Sequence, residues 1–168
     1  MKGKSRVKES VKSKIFIRFV EKEDEKDLLR WRNDPVTRMN SFNTDKILLK
    51  DHLAWFDKTI KNSDKNIFIG LNEKNEKIGM VRFDQEPASK TVEINIVVAP
   101  EARGKGYGTE LLIKSCEVYF NNYHYNHIIA KIKKDNIPSI KAFTKAGFIQ
   151  AESEGDYMIL HLRRNNLE

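Results

Sequence analysis

Cysteine is almost missing. A single residue, Cys116, occurs in 168, so neither an intramolecular disulfide nor a cysteine zinc cluster can form. A catalytic thiol stays formally open, but Cys116 stands among Leu112, Tyr119, Phe120 and Tyr123 at helical spacing, the setting of a small buried hydrophobe. No apolar run approaches the roughly 20 residues that cross a bilayer, and the N-terminus lacks the apolar core of a secretory signal. A cytoplasmic location away from membranes is the expectation. Internal repeats, long linkers and DNA-binding motifs are also absent.

The chain does carry 39% hydrophobic residues and a formal net charge of +7. Length and hydrophobic content fit one ordinary domain with a sizeable core. Net positive charge is compatible with nucleic acid, an acidic membrane surface or a polyanionic small molecule. Much of the excess lies in MKGKSRVKESVKSK, where six Lys or Arg face one Glu. Residues 1–14 therefore read as a basic, disordered tail, and 15–168 as a single domain. Beyond the tail, basic residues interleave with acidic ones, so nucleic acid is not an expected partner.

IFIRFV alternates well enough for a first strand, and residues 24–33 read as a short helix that ends before Pro35. Over 45–61, Leu49, Leu53, Phe56 and Ile60 form the stripe expected to face the core, while Leu48, His52 and Trp55 form an adjacent stripe suited to lining a pocket. Three strands, NIFIGL, KIGMVRFD and KTVEINIVVA, follow as an antiparallel meander. In the third, Val92, Ile94, Ile96 and Val98 share one face; Glu93 and Asn95 share the other. A helix over 109–121, the strand HIIAKI, a helix over 137–146 closed by Gly147, and strands over 148–151 and 157–162 complete the reading. The expected class is α+β: a mixed, mostly antiparallel sheet with helices on both faces.

Between strand and helix stands Arg103-Gly104-Lys105-Gly106-Tyr107-Gly108. Glycines let the backbone approach a ligand, and free amides at a helix start bind anions. A dinucleotide fingerprint from Gly104 would need glycine at 109, where Thr109 stands, and no Walker string or kinase sequence set occurs. A pyrophosphate remains the expected guest.

Residues 93–112 resemble the cofactor signature of the GNAT N-acetyltransferase superfamily, whose pattern [QR]-x-x-G-x-[GA] is matched by Arg103, Gly106 and Gly108. The segment KDNIPSIKAFTKAGF resembles the superfamily's later motif. The resemblance implies a sheet splayed near its middle and acetyl-CoA as co-substrate, with no metal. The pantetheine arm would pair with the backbone of Ile96, Val97 and Val98. The pyrophosphate would rest on the amides from Arg103 through Gly104, Lys105, Gly106 and Tyr107 to Gly108, with Asn136 and Ser139 touching the cofactor from the other side.

Acetyl transfer to an amine needs a base, a polarised carbonyl and a protonated leaving thiolate. The resemblance puts Glu93 in the base position, acting through a water; the alternative is a half-exposed strand carboxylate paired with a lysine. The superfamily's usual tyrosine acid is replaced by Phe143, which leaves Ser139 as the nearest candidate, Tyr157 as another, or an acyl-CoA-binding module without turnover. The acceptor pocket is expected from Trp31, Arg32, Asn33, His52, Trp55 and Phe56. The strings WRND and HLAWF resemble enzymes that acetylate the 4-amino group of a UDP-linked amino-dideoxy sugar; a protein N-terminus is the competing acceptor. His52 can orient a sugar hydroxyl, act as a base, or make a structural hydrogen bond. The expected partners are acetyl-CoA and an amine-bearing small molecule, a sugar nucleotide, and a homodimer is compatible with the sequence.

Overall fold

The computed structural model describes residues 14–166; the tail expected over 1–14 lies, apart from Lys14, outside the described residues. Strands β1 (Phe16–Phe19), β2 (Lys65–Leu71), β3 (Lys77–Glu86), β4 (Thr91–Val98), β5 (His127–Lys133), β6 (Ile149–Glu154) and β7 (Tyr157–Arg163) form one seven-stranded sheet in the order β1-β2-β3-β4-β5-β7-β6. Every neighbouring pair is antiparallel except β4 with β5. Helices α1 (Glu25–Asn33), α2 (Pro35–Asn40), α3 (Leu49–Ile60), α4 (Tyr107–Asn122) and α5 (Ile137–Lys145) cover its faces. The expected mixed α+β sheet is present. None of the described helices is long and apolar enough to cross a membrane.

Helix α4 buries Leu111, Leu112, Ser115, Cys116, Tyr119 and Phe120, a stripe of adjacent pairs repeating about every four residues. Tyr119 stacks on Phe83 with centroids 4.2 Å apart, and its hydroxyl accepts from Gln85 Nε2 at 2.8 Å. Burial pushes the Cys116 thiol far up, so the residue serves as core rather than as a nucleophile.

Two expectations need correction. Helix α3 starts at Leu49, not near residue 45, because Asn33 clamps the segment before it: its Nδ2 donates to the Ile47 carbonyl and its Oδ1 accepts from the Ile47 N–H, both at 2.8 Å. The buried stripe of α3 is His52, Phe56 and Thr59; Leu49 is 59% exposed and Ile60 44%. Burying His52 is tolerable because its Nε2 meets the Glu25 carbonyl at 2.7 Å. Helix α2 was also unforeseen. Asp34 ends α1 and at once caps α2, accepting from the Val36 and Thr37 amides at 3.1 Å, with Pro35 in the first turn.

The approach to α1 is held by Asp24, whose side chain is fully buried. It accepts from Arg18 Nη1 at 2.7 Å, Arg18 Nη2 at 2.9 Å and the Glu21 amide at 2.8 Å, and it pairs with Lys77 Nζ at 2.7 Å. Burial alone would raise its carboxyl, but the bonds from Arg18, Lys77 and Glu21 outweigh that and hold it at about 2. A folded value below the unfolded one means that the stabilisation is complete above about pH 5 and is lost as pH falls towards 2. Asp24→Asn should cost on the order of 3 kcal/mol near pH 7, the low end for breaking a buried ion pair. In urea titrations the gap between wild type and variant should close between pH 5 and pH 2; a constant gap would contradict the assignment.

Candidate active site

Strands β4 and β5 pair over only two residue pairs, Val92↔Ile128 and Glu93↔Ile129, and then separate. On its other side β4 stays paired with β3 as far as Val98↔Gly79. The Ala99 amide donates to the Ile78 carbonyl at 2.9 Å, so strand alternation turns the peptide groups of Ile96 and Val98 away from β3 and into the gap. Gly79 keeps this edge tight: a Cβ there would lie 2.3 Å from the Val97 carbonyl oxygen.

At the end of β4 a 3-10 turn over Pro100–Ala102 leads to the glycine loop and to α4, which starts at Tyr107. Gly104 and Gly106 have φ of +74° and +81°, and a Cβ at either would meet no atom within 4 Å. The loop thus combines left-handed turns, open space above the backbone and the outward amides of a helix start, a cradle that fits a pyrophosphate. Across the gap, Asn136 caps α5 by accepting from the Ser139 amide at 3.3 Å.

A cavity of about 970 Å³ runs along this gap. Its walls include Ile96, Val97, Val98, Arg103, Gly104, Gly108, Asn136 and Ser139 at one end, and Trp31, Arg32, His52 and Trp55 at the other. Lys105, Gly106 and Tyr107 lie in the loop and helix start but are not part of the wall. Phe56 is withdrawn from it altogether: the ring is fully buried in the core under Lys22 Nζ, 5.2 Å from the centroid. Asn33 acts at one remove, through its clamp on Ile47, which does line the cavity.

Glu93 lies beside the cavity, not in its wall. Its Oε2 is 3.6 Å from Lys131 Nζ and its side chain is 34% exposed. Asn95 and Lys131 do line the cavity. Phe143 is 2% exposed and packs edge-on against Phe148, with centroids 4.9 Å apart. Tyr157 packs edge-on against Phe42, and its hydroxyl is pushed up chiefly by a hydrogen bond with Glu154.

Arg103 turns its guanidinium from the loop to the helices, with Nη2 2.8 Å from both Asp34 Oδ2 and Thr37 Oγ1. Burial would raise the Asp34 carboxyl; Arg103 and the Thr37 amide reverse that and hold it below the usual range. Arg82 and Asp51 also line the cavity, and neither stood out in the sequence. The available signal for Arg82 was strand register, since it lies opposite Asn95.

Residues 14–149 match the family model described as an acetyltransferase (GNAT) domain. The chain is 37% identical over 89 residues to an N-acetyltransferase 9-like protein of Nematostella vectensis, covering 51% of this chain and 45% of that protein, so it spans under half of that relative. It is 25% identical over 140 residues to acetyltransferase PseH of Campylobacter jejuni, covering 83% of this chain and 85% of that one. Among solved structures, spermidine N-acetyltransferase from Vibrio cholerae with CoA and spermine superposes with a TM-score of 0.82 at 16% identity, over 91% of this chain and 97% of that one. With a family model matched over most of its length and a split-sheet cradle of the fitting shape, the chain belongs to the GNAT acetyltransferases and is an acetyl-CoA-dependent N-acetyltransferase.

Proposed function

We propose that the acceptor is the 4-amino group of a UDP-linked amino-dideoxy sugar, acetylated directly in the cytoplasm. The supporting observation is the continuity of the cavity: one space joins the split strands to the wall built by α1 and α3. An amine held at the second end can therefore reach a thioester held at the first. That end has an aromatic surface, with Trp55 5.6 Å from His52 and Arg82 over the Trp55 ring at 5.7 Å, which suits stacking on a nucleobase or covering a sugar face. The likeness to PseH, at 25% identity, is in keeping with this choice.

The bound cofactor supplies an activated acetyl thioester. In the proposed division of labour, the peptide groups of Ile96 and Val98 align the cofactor arm, and the Val98 amide donates to the acetyl carbonyl oxygen. Glu93 removes the proton from the acceptor ammonium through a water, since it shares a strand face with Asn95 at the cavity wall. Ser139, on the α5 side of the wall, is the proposed proton donor to the leaving sulfur.

Acetyl-CoA should raise the melting temperature of the wild-type protein through preferential binding to the folded state. Gly106→Val should lower the ligand-free melting temperature slightly, through backbone strain at φ +81°, and should abolish the acetyl-CoA-dependent rise. A full rise in the variant would contradict the cradle. Glu93→Gln should reduce kcat by ~10²–10⁴, the usual loss for a general base; undiminished turnover from pH 6 to 9 would remove Glu93 from that role. Among UDP-amino sugars, N-terminal peptides and polyamines assayed side by side, the sugar nucleotides should give the highest kcat/KM. Preference for peptides would install the competing acceptor instead.

A further inference from the structure

One of the cations in the cavity wall is left without a carboxylate partner among the described residues. Four cations line the cavity, Arg32, Arg82, Arg103 and Lys131, against one acidic residue, Asp51, which is itself exposed. Three of the four have carboxylate partners: Arg103 with Asp34 at 2.8 Å, Arg82 Nε with Asp84 at 3.0 Å, and Lys131 with Glu93 at 3.6 Å. Arg32 has no carboxylate partner among the described residues. Its Nη2 donates to the Asn43 carbonyl at 2.6 Å, and its Nη1 is buried with no hydrogen-bond partner among the described residues. Burial, and then Arg38 and Arg82, lower its proton affinity, which shows like charges crowded around a guanidinium already short of solvent.

A buried charged donor without an acceptor is costly, and the planar guanidinium fork matches an oxyanion in geometry as well as in charge. We propose that Arg32, backed by Arg82, is an oxyanion subsite that takes a phosphoryl group carried by the acceptor and so determines acceptor specificity. This inference rests on reading the Trp31–Trp55 end of the cavity as the acceptor site. It also gives a physical reason for rejecting polyamines, whose charge would meet the like charge of Arg32.

The test is calorimetric binding to the CoA-saturated protein, in which the glycine loop is already occupied and cannot take up the probe. UDP and inorganic pyrophosphate should bind, more weakly as salt rises, whereas uridine, glutamate and spermidine should bind at least tenfold more weakly than UDP. Arg32→Met should lose at least tenfold in UDP affinity with unchanged CoA affinity, and Arg32→Lys, which keeps the charge but not the fork, should recover part of the loss. Unchanged CoA affinity and circular dichroism show that each variant is folded. Failure of UDP and pyrophosphate to bind, equal affinity in Arg32→Met, or tighter binding of glutamate than of pyrophosphate would each overturn the subsite. Because binding is read without turnover, UDP affinity that depends on Arg32 together with no acetylation of UDP-amino sugars would defeat the proposed acceptor alone. Acetylation of those sugars with an unaltered KM in Arg32→Met would defeat the subsite alone.

Discussion

Among the described residues, two parallel pairs, Val92↔Ile128 and Glu93↔Ile129, make the whole ladder between the halves of the sheet, and the site depends on the ladder stopping there. Each of the two strands has a stronger commitment elsewhere: β4 pairs with β3 over eight positions and β5 with β7 over seven. Antiparallel pairing is somewhat the more stable per residue, so each strand follows its antiparallel partner and the weak parallel seam opens. Opening leaves the Ile96 and Val98 peptide groups unpaired on an inner strand, where a sheet would normally satisfy them. A ligand that adds itself to β4 satisfies them instead, and the cavity is where such a ligand fits.

A split sheet with a glycine loop at its edge would still leave the two ends of the cavity independent. Asp34 prevents this. Its backbone N–H closes the end of α1 on the Trp31 carbonyl, and its carboxylate caps α2 and receives Arg103 from the loop, while Arg30 on α1 makes a second tie to Glu101 at 2.8 and 3.1 Å. The Asp34 side chain is only 18% exposed, so its pair with Arg103 is screened less than a surface ion pair and contributes more. Trp31 and Arg32 on the same helix are thereby fixed relative to the backbone of the glycine loop. Arg103 serves this tie through its side chain, which is a different task from the anion contact suggested by its place in the motif.

Strands were legible in the sequence wherever one face was buried, because Val92 and Ile94 alternate strictly with Glu93 and Asn95 and no other register buries the apolar set. The late helix was equally legible from Pro138 near its start and Gly147, at φ +95°, just past its end. The first third was read less well, because there tertiary hydrogen bonds override apolar periodicity. Leu49 and Ile60 look like core residues, yet His52 and Thr59 are buried in their place, His52 satisfied by the Glu25 carbonyl. Phe56 sits within an aromatic string that points to a pocket, but it lies on the core side of α3, whereas Trp55 next to it reaches the cavity. Arg82 could not be singled out until β3 was registered against β4.

The unequal legibility of the two ends of the cavity has a physical origin. The end beside the glycine loop is made mostly of main-chain groups: unpaired strand amides, a helix start, and glycines with no side chain to fill the space. Such a site leaves a short, fixed signature and tolerates wide change around it. The opposite end is made of side chains carried on α1 and α3 and on the loop between α2 and α3, and its chemistry changes with each substitution. The string WRND marks Arg32, but that its buried Nη1 has no hydrogen-bond partner among the described residues shows only in the fold. The family signature therefore lies in the backbone around β4 and α4, while on the proposed reading the choice of acceptor lies with the side chains of the opposite wall.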